Sequence, residues 1–222
     1  MMKNLGNILI LGDSYSTFTG YVPQGYAVYY TPGKPAYQKD VIDDNDVTCV
    51  EETWWYNFSR ENGNLALNCS WSGSTICNTG WSGRNDSGNT FIGRLDKLIA
   101  DGFFSENKID TLLIFGGTND SWSDAPIGER MYSGWTKEDL YSALPAFGYL
   151  LDTCVNRLSG VKVYCIINTE LKEELSSEYI KACKKYSVDY IELCDIEKFS
   201  GHPTVRGMKQ IRTQIEEYIS NN

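Results

Sequence analysis

Five short, mostly aliphatic runs, each separated from the next by a stretch of helical spacing, constrain the fold of this chain more than any other feature. The runs cover residues 7–11, 64–68, 110–115, 161–167 and 188–193. The runs read as strands, and the first and third, short, apolar and bounded by turn residues, read as buried ones. Between them, helical spacing recurs at 50–61 (ended by Gly63), 91–100 (closed by Asp101-Gly102), 138–158 and 172–186, and a last helix covers 204–220. Pro145 is predicted to kink the third of these. Strands that alternate with helices call for a parallel sheet, and right-handed crossovers place helices on both of its faces. The expectation is one α/β domain over residues 1–222, a three-layer α/β/α sandwich. Its five-stranded parallel sheet has the flavodoxin-like order 2-1-3-4-5.

Composition removes several function classes. The formal net charge is −9, from 20 basic and 29 acidic residues. A nucleic-acid partner needs a basic surface, so none is expected. No apolar run approaches the roughly 20 residues of a membrane span. Residues 1–11 lack a signal-peptide pattern, and the seven cysteines are odd in number with no C-x-x-C pair. Both point to a reduced, cytoplasmic protein, with an exported form as the alternative. His202 is the sole histidine. A His-rich metal site is therefore impossible, and any chemistry that needs an imidazole must use this one.

Four polar stretches follow strand-like runs and converge on one crevice in the expected fold. They are Gly12-Asp13-Ser14, Ser70-Trp71-Ser72-Gly73-Ser74, Gly116-Gly117-Thr118-Asn119-Asp120 and Gly201-His202-Pro203-Thr204. Ligands of open α/β sheets bind just past the carboxyl ends of the strands. These residue types suit acyl transfer. A serine hydroxyl needs an adjacent base, and His202 is the only imidazole that can serve Ser14. A developing oxyanion needs fixed donors. The Ser14 N–H, the Gly73 N–H, unobstructed by a Cβ, and the Asn119 amide can supply them, with Gly83 as an alternative to Gly73.

The four blocks, in this order and spacing, resemble the SGNH hydrolases, also called GDSL-type esterases and lipases. The resemblance runs from the first strand to the last helix. It implies Ser14 as nucleophile, His202 as general acid–base, and Ser14, Gly73 and Asn119 as the oxyanion hole. It calls for no metal and no cofactor. The substrate it implies is a small-molecule carboxylic ester, hydrolysed through an acyl-enzyme. Lipase or acyltransferase chemistry on the same residues, or a non-catalytic glycan binder, are the alternatives. The chain departs from the family in one place. The aspartate that usually precedes the histidine by three residues is replaced by Phe199. A backbone carbonyl near Phe199 or Ser200, Asp195, Glu197 or Glu170 could orient the ring instead; the carbonyl and Glu170 are favoured.

Residues 17–46 form a long excursion with tyrosines at 21, 26, 29 and 30. Excursions of this length in compact domains are usually functional or mobile. The tyrosines either offer aromatic faces to a sugar or acyl group or pin the segment to the body. Trp71, Trp81, Trp122 and Trp135 are expected to rim the crevice. An acetyl group on a carbohydrate is the expected substrate, since no extended apolar lid for a long acyl chain is visible.

Overall fold

The computed structural model describes residues 4–33, 45–81 and 87–222. Five parallel strands form its centre: β1 (Asn7–Gly12), β2 (Asn64–Asn68), β3 (Thr111–Gly116), β4 (Lys162–Ile167) and β5 (Asp189–Glu192). Their order is β2-β1-β3-β4-β5, as the alternation of runs predicts. The helices are α1 (Trp54–Asn62), α2 (Phe91–Ala100), α3 (Phe103–Glu106), α4 (Thr118–Trp122), α5 (Ala143–Arg157), α6 (Glu173–Tyr186) and α7 (Val205–Asn221). None among the described residues is long and apolar enough to cross a membrane.

The continuous aliphatic runs serve two cores at once, because successive strand side chains point to opposite faces. Leu9 and Leu11 of β1, with Leu112 and Ile114 of β3, pack under α2, α5 and α6. Ile8 and Ile10, with Leu113 and Phe115, pack under α1 and α7. Each such fully buried aliphatic side chain contributes about 2 kcal/mol of transfer free energy. β1 and β3 are neighbours, yet the chain leaves β1 for β2 through α1 on one face and leaves β3 for β4 through α5 on the other. This divergence opens a crevice at their carboxyl ends.

The structure differs from the sequence expectations in several places, α3 among them. The helix expected over 50–61 is a short 3-10 turn, Val50–Glu52, followed by α1. The Glu52 carboxylate accepts the backbone N–H groups of Thr48 and Cys49 and closes the turn there. The helix expected over 138–158 is likewise a turn, Asp139–Tyr141, then α5. Pro145 lies in the first turn of α5, where no intrahelical N–H bond is lost, so it terminates nothing and the expected kink is absent. Residues 116–137, which lack helical spacing and read as a long loop, hold the short α4. Last, a two-stranded antiparallel hairpin, β6 (Lys198–Phe199) and β7 (His202–Pro203), stands between β5 and α7.

Candidate active site

β1 ends at Gly12, a position only glycine can fill: a Cβ would lie 2.6 Å from Ser70 Oγ and 2.7 Å from Ser16. Asp13 then caps a single 3-10 turn, Ser14–Ser16, its carboxylate accepting the Tyr15 N–H at 3.1 Å. The turn is held from below by Asn68, whose Nδ2 donates to Ser16 O at 2.8 Å, and by the Trp54 indole, which donates to Ser16 Oγ at 3.2 Å. Ser14 is thus fixed at the carboxyl end of the sheet.

His202 arrives on the hairpin. Ser200 (φ 48°) and Gly201 (φ 78°) form its turn, and two consecutive positive φ values are the mark of a type I′ turn. Glycine is needed at 201 for a second reason, since a Cβ there would sit 2.7 Å from the Trp122 ring. Side chains hold the hairpin to the body. Tyr15 Oη donates to Gly201 O at 2.5 Å, Tyr30 Oη to Pro203 O at 2.9 Å, and Asn45 Nδ2 to Pro203 O at 3.0 Å. Lys198 Nζ reaches back to Thr169 Oγ1 at 2.7 Å and Glu170 Oε2 at 3.1 Å.

The imidazole lies flat on the Tyr29 ring, with centroids 3.6 Å apart and planes 7° from parallel, and meets Trp122 edge-on at 5.9 Å. Its Nε2 is 3.0 Å from Ser14 Oγ, and its Nδ1 is 3.3 Å from Ser200 O. A proton on Nδ1 satisfies the carbonyl and leaves Nε2 bare to accept the Ser14 hydroxyl proton. Of the groups considered for orienting the ring, the Ser200 carbonyl is the one found at Nδ1. Glu170, by contrast, has its carboxylate drawn to the buried Lys198 ammonium. Glu197 accepts the Thr204 hydroxyl and pairs with Arg206, and Asp195 is a turn residue at φ 50°. Phe199 is exposed.

The remaining blocks close around Ser14. Trp71 N donates to Gly12 O at 3.1 Å, which brings the loop after β2 alongside the nucleophile turn. Gly73 in this loop has φ 78°, a conformation that favours glycine. Among the described residues, neither the Gly73 N–H nor the Ser14 N–H donates to another group. Asn119, at the start of α4, donates from Nδ2 to Ser74 O at 2.9 Å and accepts the Trp81 indole N–H on Oδ1 at 3.2 Å. Because the indole nitrogen only donates, this contact fixes which way the amide faces and leaves Nδ2 a second N–H to offer. Gly83 lies outside the described residues, as do residues 34–44 of the long excursion. Tyr29 and Tyr30 are buried and pin the described part of that excursion, while Tyr26 packs at a tilt against Trp71. Trp81 and Trp122 are the exposed tryptophans, at 40% and 36%. Trp135 instead packs against Tyr149 of α5.

Beneath the site lie three buried ionisable side chains, Asp13, Asp120 and Arg94. Asp120 accepts the backbone N–H groups of Ile76 and Cys77, tying the segment just after the second block to the third. Burial pushes the Asp13 carboxyl up to about 7 and also raises that of Asp120. The buried Arg94 guanidinium nearby partly offsets the rise at Asp13.

A family model described as GDSL-like lipase/acylhydrolase matches residues 6–219. Two solved structures described as GDSL-like lipases, from Bacteroides ovatus and Bacteroides uniformis, are each 44% identical to this chain and cover 98% of it. They are covered over 99% and 96% of their own lengths, with TM-scores of 0.88 and 0.87. A family two carbohydrate esterase from Clostridium thermocellum shares the fold at 15% identity, with a TM-score of 0.63 over 100% of this chain and 65% of its own. A search of the curated proteins found no match.

Proposed function

The chain belongs to the GDSL-like lipase/acylhydrolase family, and from that premise we propose that it is a serine esterase with Ser14 as its nucleophile. The observation that carries this reading is the 3.0 Å contact between His202 Nε2 and Ser14 Oγ at the switch point of the sheet. In the proposed reaction Ser14 Oγ attacks the ester carbonyl as His202 Nε2 takes its proton. The carbonyl oxygen, now negative, is held by the N–H groups of Ser14 and Gly73 and by the free Asn119 Nδ2–H. A donor of this kind is worth about 10²- to 10³-fold in kcat. His202 returns the proton to the leaving alkoxide, and the acyl group stays on Ser14. Water then attacks the acyl carbonyl as His202 takes its proton, the acyl–Oγ bond breaks with the proton passing from His202 to Ser14 Oγ, and the acid leaves with the starting serine and imidazole restored.

The imidazolium formed midway lies face to face with Tyr29, where the ring's π electrons favour the positive charge. Tyr29→Leu is accordingly expected to lower kcat by up to about tenfold while the chain still folds, measured by steady-state kinetics beside circular dichroism.

For the substrate we propose a short acyl group, acetyl, on a carbohydrate, in a cytoplasmic protein. The exposed faces of Trp81 and Trp122 beside Asn119 and His202 support it, and so does the shared fold of the carbohydrate esterase. Nitrophenyl esters of increasing chain length, tested beside acetylated sugars, decide the matter. The acetyl ester and the sugars are expected to be turned over best. Rates that climb steadily with chain length favour a lipase and defeat the acetyl reading. Glycan binding without any turnover favours a non-catalytic binder and defeats the esterase.

A further inference from the structure

The apolar face of α2 carries one misfit. Phe91, Arg94 and Leu95 all face inward, and Arg94 is only 1% exposed. A buried guanidinium is tolerated only when its donors are satisfied, most often by a carboxylate. Arg94 spends its donors on uncharged oxygens, and these belong to the loops that build the site. Its Nη2 donates to Gly12 O at 3.0 Å and to Ser74 Oγ at 2.9 Å, its Nη1 to Cys69 O, and its Nε to Asn89 O at 2.9 Å. Gly12 lies two residues before Ser14, and Ser74 follows Gly73. Ser74 in turn holds Asn119 through its carbonyl. One planar fork therefore spans the ends of β1 and β2 and, through Ser74, reaches the loop after β3.

We propose that Arg94 is a positioning residue that sets the spacing of the three oxyanion donors, Ser14, Gly73 and Asn119. The proposal rests on the esterase reading above. Arginine suits the task because its five N–H groups point in fixed, coplanar directions, so acceptors bound to it cannot drift independently. Lysine keeps the charge, but its single rotatable ammonium cannot bridge acceptors on two sides of the fork. The role also explains why a cation sits on a helix face otherwise committed to the core. It touches no part of the proposed reacting centre and acts through Gly12 and Ser74.

The test compares the parent with Arg94→Lys, Ser74→Ala and the double variant. Each is assayed for kcat and KM on nitrophenyl acetate and for the rate at which a fluorophosphonate labels Ser14, with circular dichroism and melting recorded beside them. Arg94→Lys is expected to fold, to keep KM within about threefold and to lose about 10²-fold in kcat, as displaced catalytic geometry does. Labelling should slow in parallel, because the phosphoryl oxygen needs the same donors. Ser74→Ala removes one of the bonds and is expected to cost about fivefold in kcat. The double variant should be no worse than Arg94→Lys, since both substitutions break one linkage. A folded Arg94→Lys whose kcat and labelling rate stay within about threefold of the parent overturns the proposal, because a purely structural residue would move only the melting temperature. Should Arg94→Lys fail to fold, Ser74→Ala decides, and kcat at the parental level overturns the proposal. A parent that neither turns over esters nor takes the label overturns the esterase reading and this proposal together. An active parent beside an unaffected variant overturns only the role of Arg94.

Discussion

Ser14→Ala is expected to lower kcat by a factor on the order of 10⁴ or more and to abolish fluorophosphonate labelling, while leaving the melting temperature nearly unchanged. The hydroxyl is the only part of Ser14 removed, and among the described residues it bonds His202 Nε2. The Asp13 cap and the backbone of the turn stay in place. His202→Ala should lose nearly as much, since a serine without its base is a poor nucleophile at neutral pH. The two groups act as a unit, so the double variant should be no slower than either single one. Additive losses, or a Ser14→Ala protein that still accepts the label, would contradict the assignment of Ser14.

The second large effect concerns stability against pH. Asp13 is fully buried, and burial raises its carboxyl from the ordinary value of 3.8 to about 7. Between these values the folded chain holds a proton that the unfolded chain has released. Stability from this group is therefore complete below about pH 4 and is lost as pH rises through 7. The three-unit difference corresponds to on the order of 4 kcal/mol. Asp13→Asn resembles the protonated acid at every pH. The variant is thus expected to match the parent near pH 4 and to melt higher at pH 8, by on the order of 10 °C. Asp120 is raised for the same reason and remains in the variant, so part of the parental slope should persist. Melting curves of the two proteins recorded from pH 4 to pH 9 test this. Parallel curves would mean that Asp13 keeps its charge throughout.

Much of this architecture is legible in the sequence because parallel strands buried on both faces must be apolar throughout. β3 and β4 are nearly continuous apolar runs, and α2 is closed by Asp101-Gly102. The strand order then follows from topology rules. What escapes has physical reasons. The hairpin that carries His202 has strands of two residues each, too short for any period to register. Pro145 reads as a kink only if the helix is taken to begin five residues before α5 does. Glu170 lies near enough in topology to serve the imidazole, but a buried ammonium competes for it, and Lys198 cannot be known as buried from spacing. Arg94 could have been found. Positions 91, 94, 95 and 98 share one helix face, and a lone arginine among three apolar residues there calls for oxygen partners in the interior.

Ser14 and His202 stand on different supports. The serine follows directly on a strand paired on both sides. The histidine rides on a six-residue finger whose own backbone pairing is minimal and which, among the described residues, is held by hydrogen bonds from Tyr15, Tyr30, Asn45 and Lys198 and by ring contacts with Tyr29 and Trp122. Such bonds yield one by one on warming, whereas a packed sheet yields all at once. Heat should therefore separate the two reacting groups while the sandwich is still intact, so the working temperature of this protein is governed by its finger and its durability by its core.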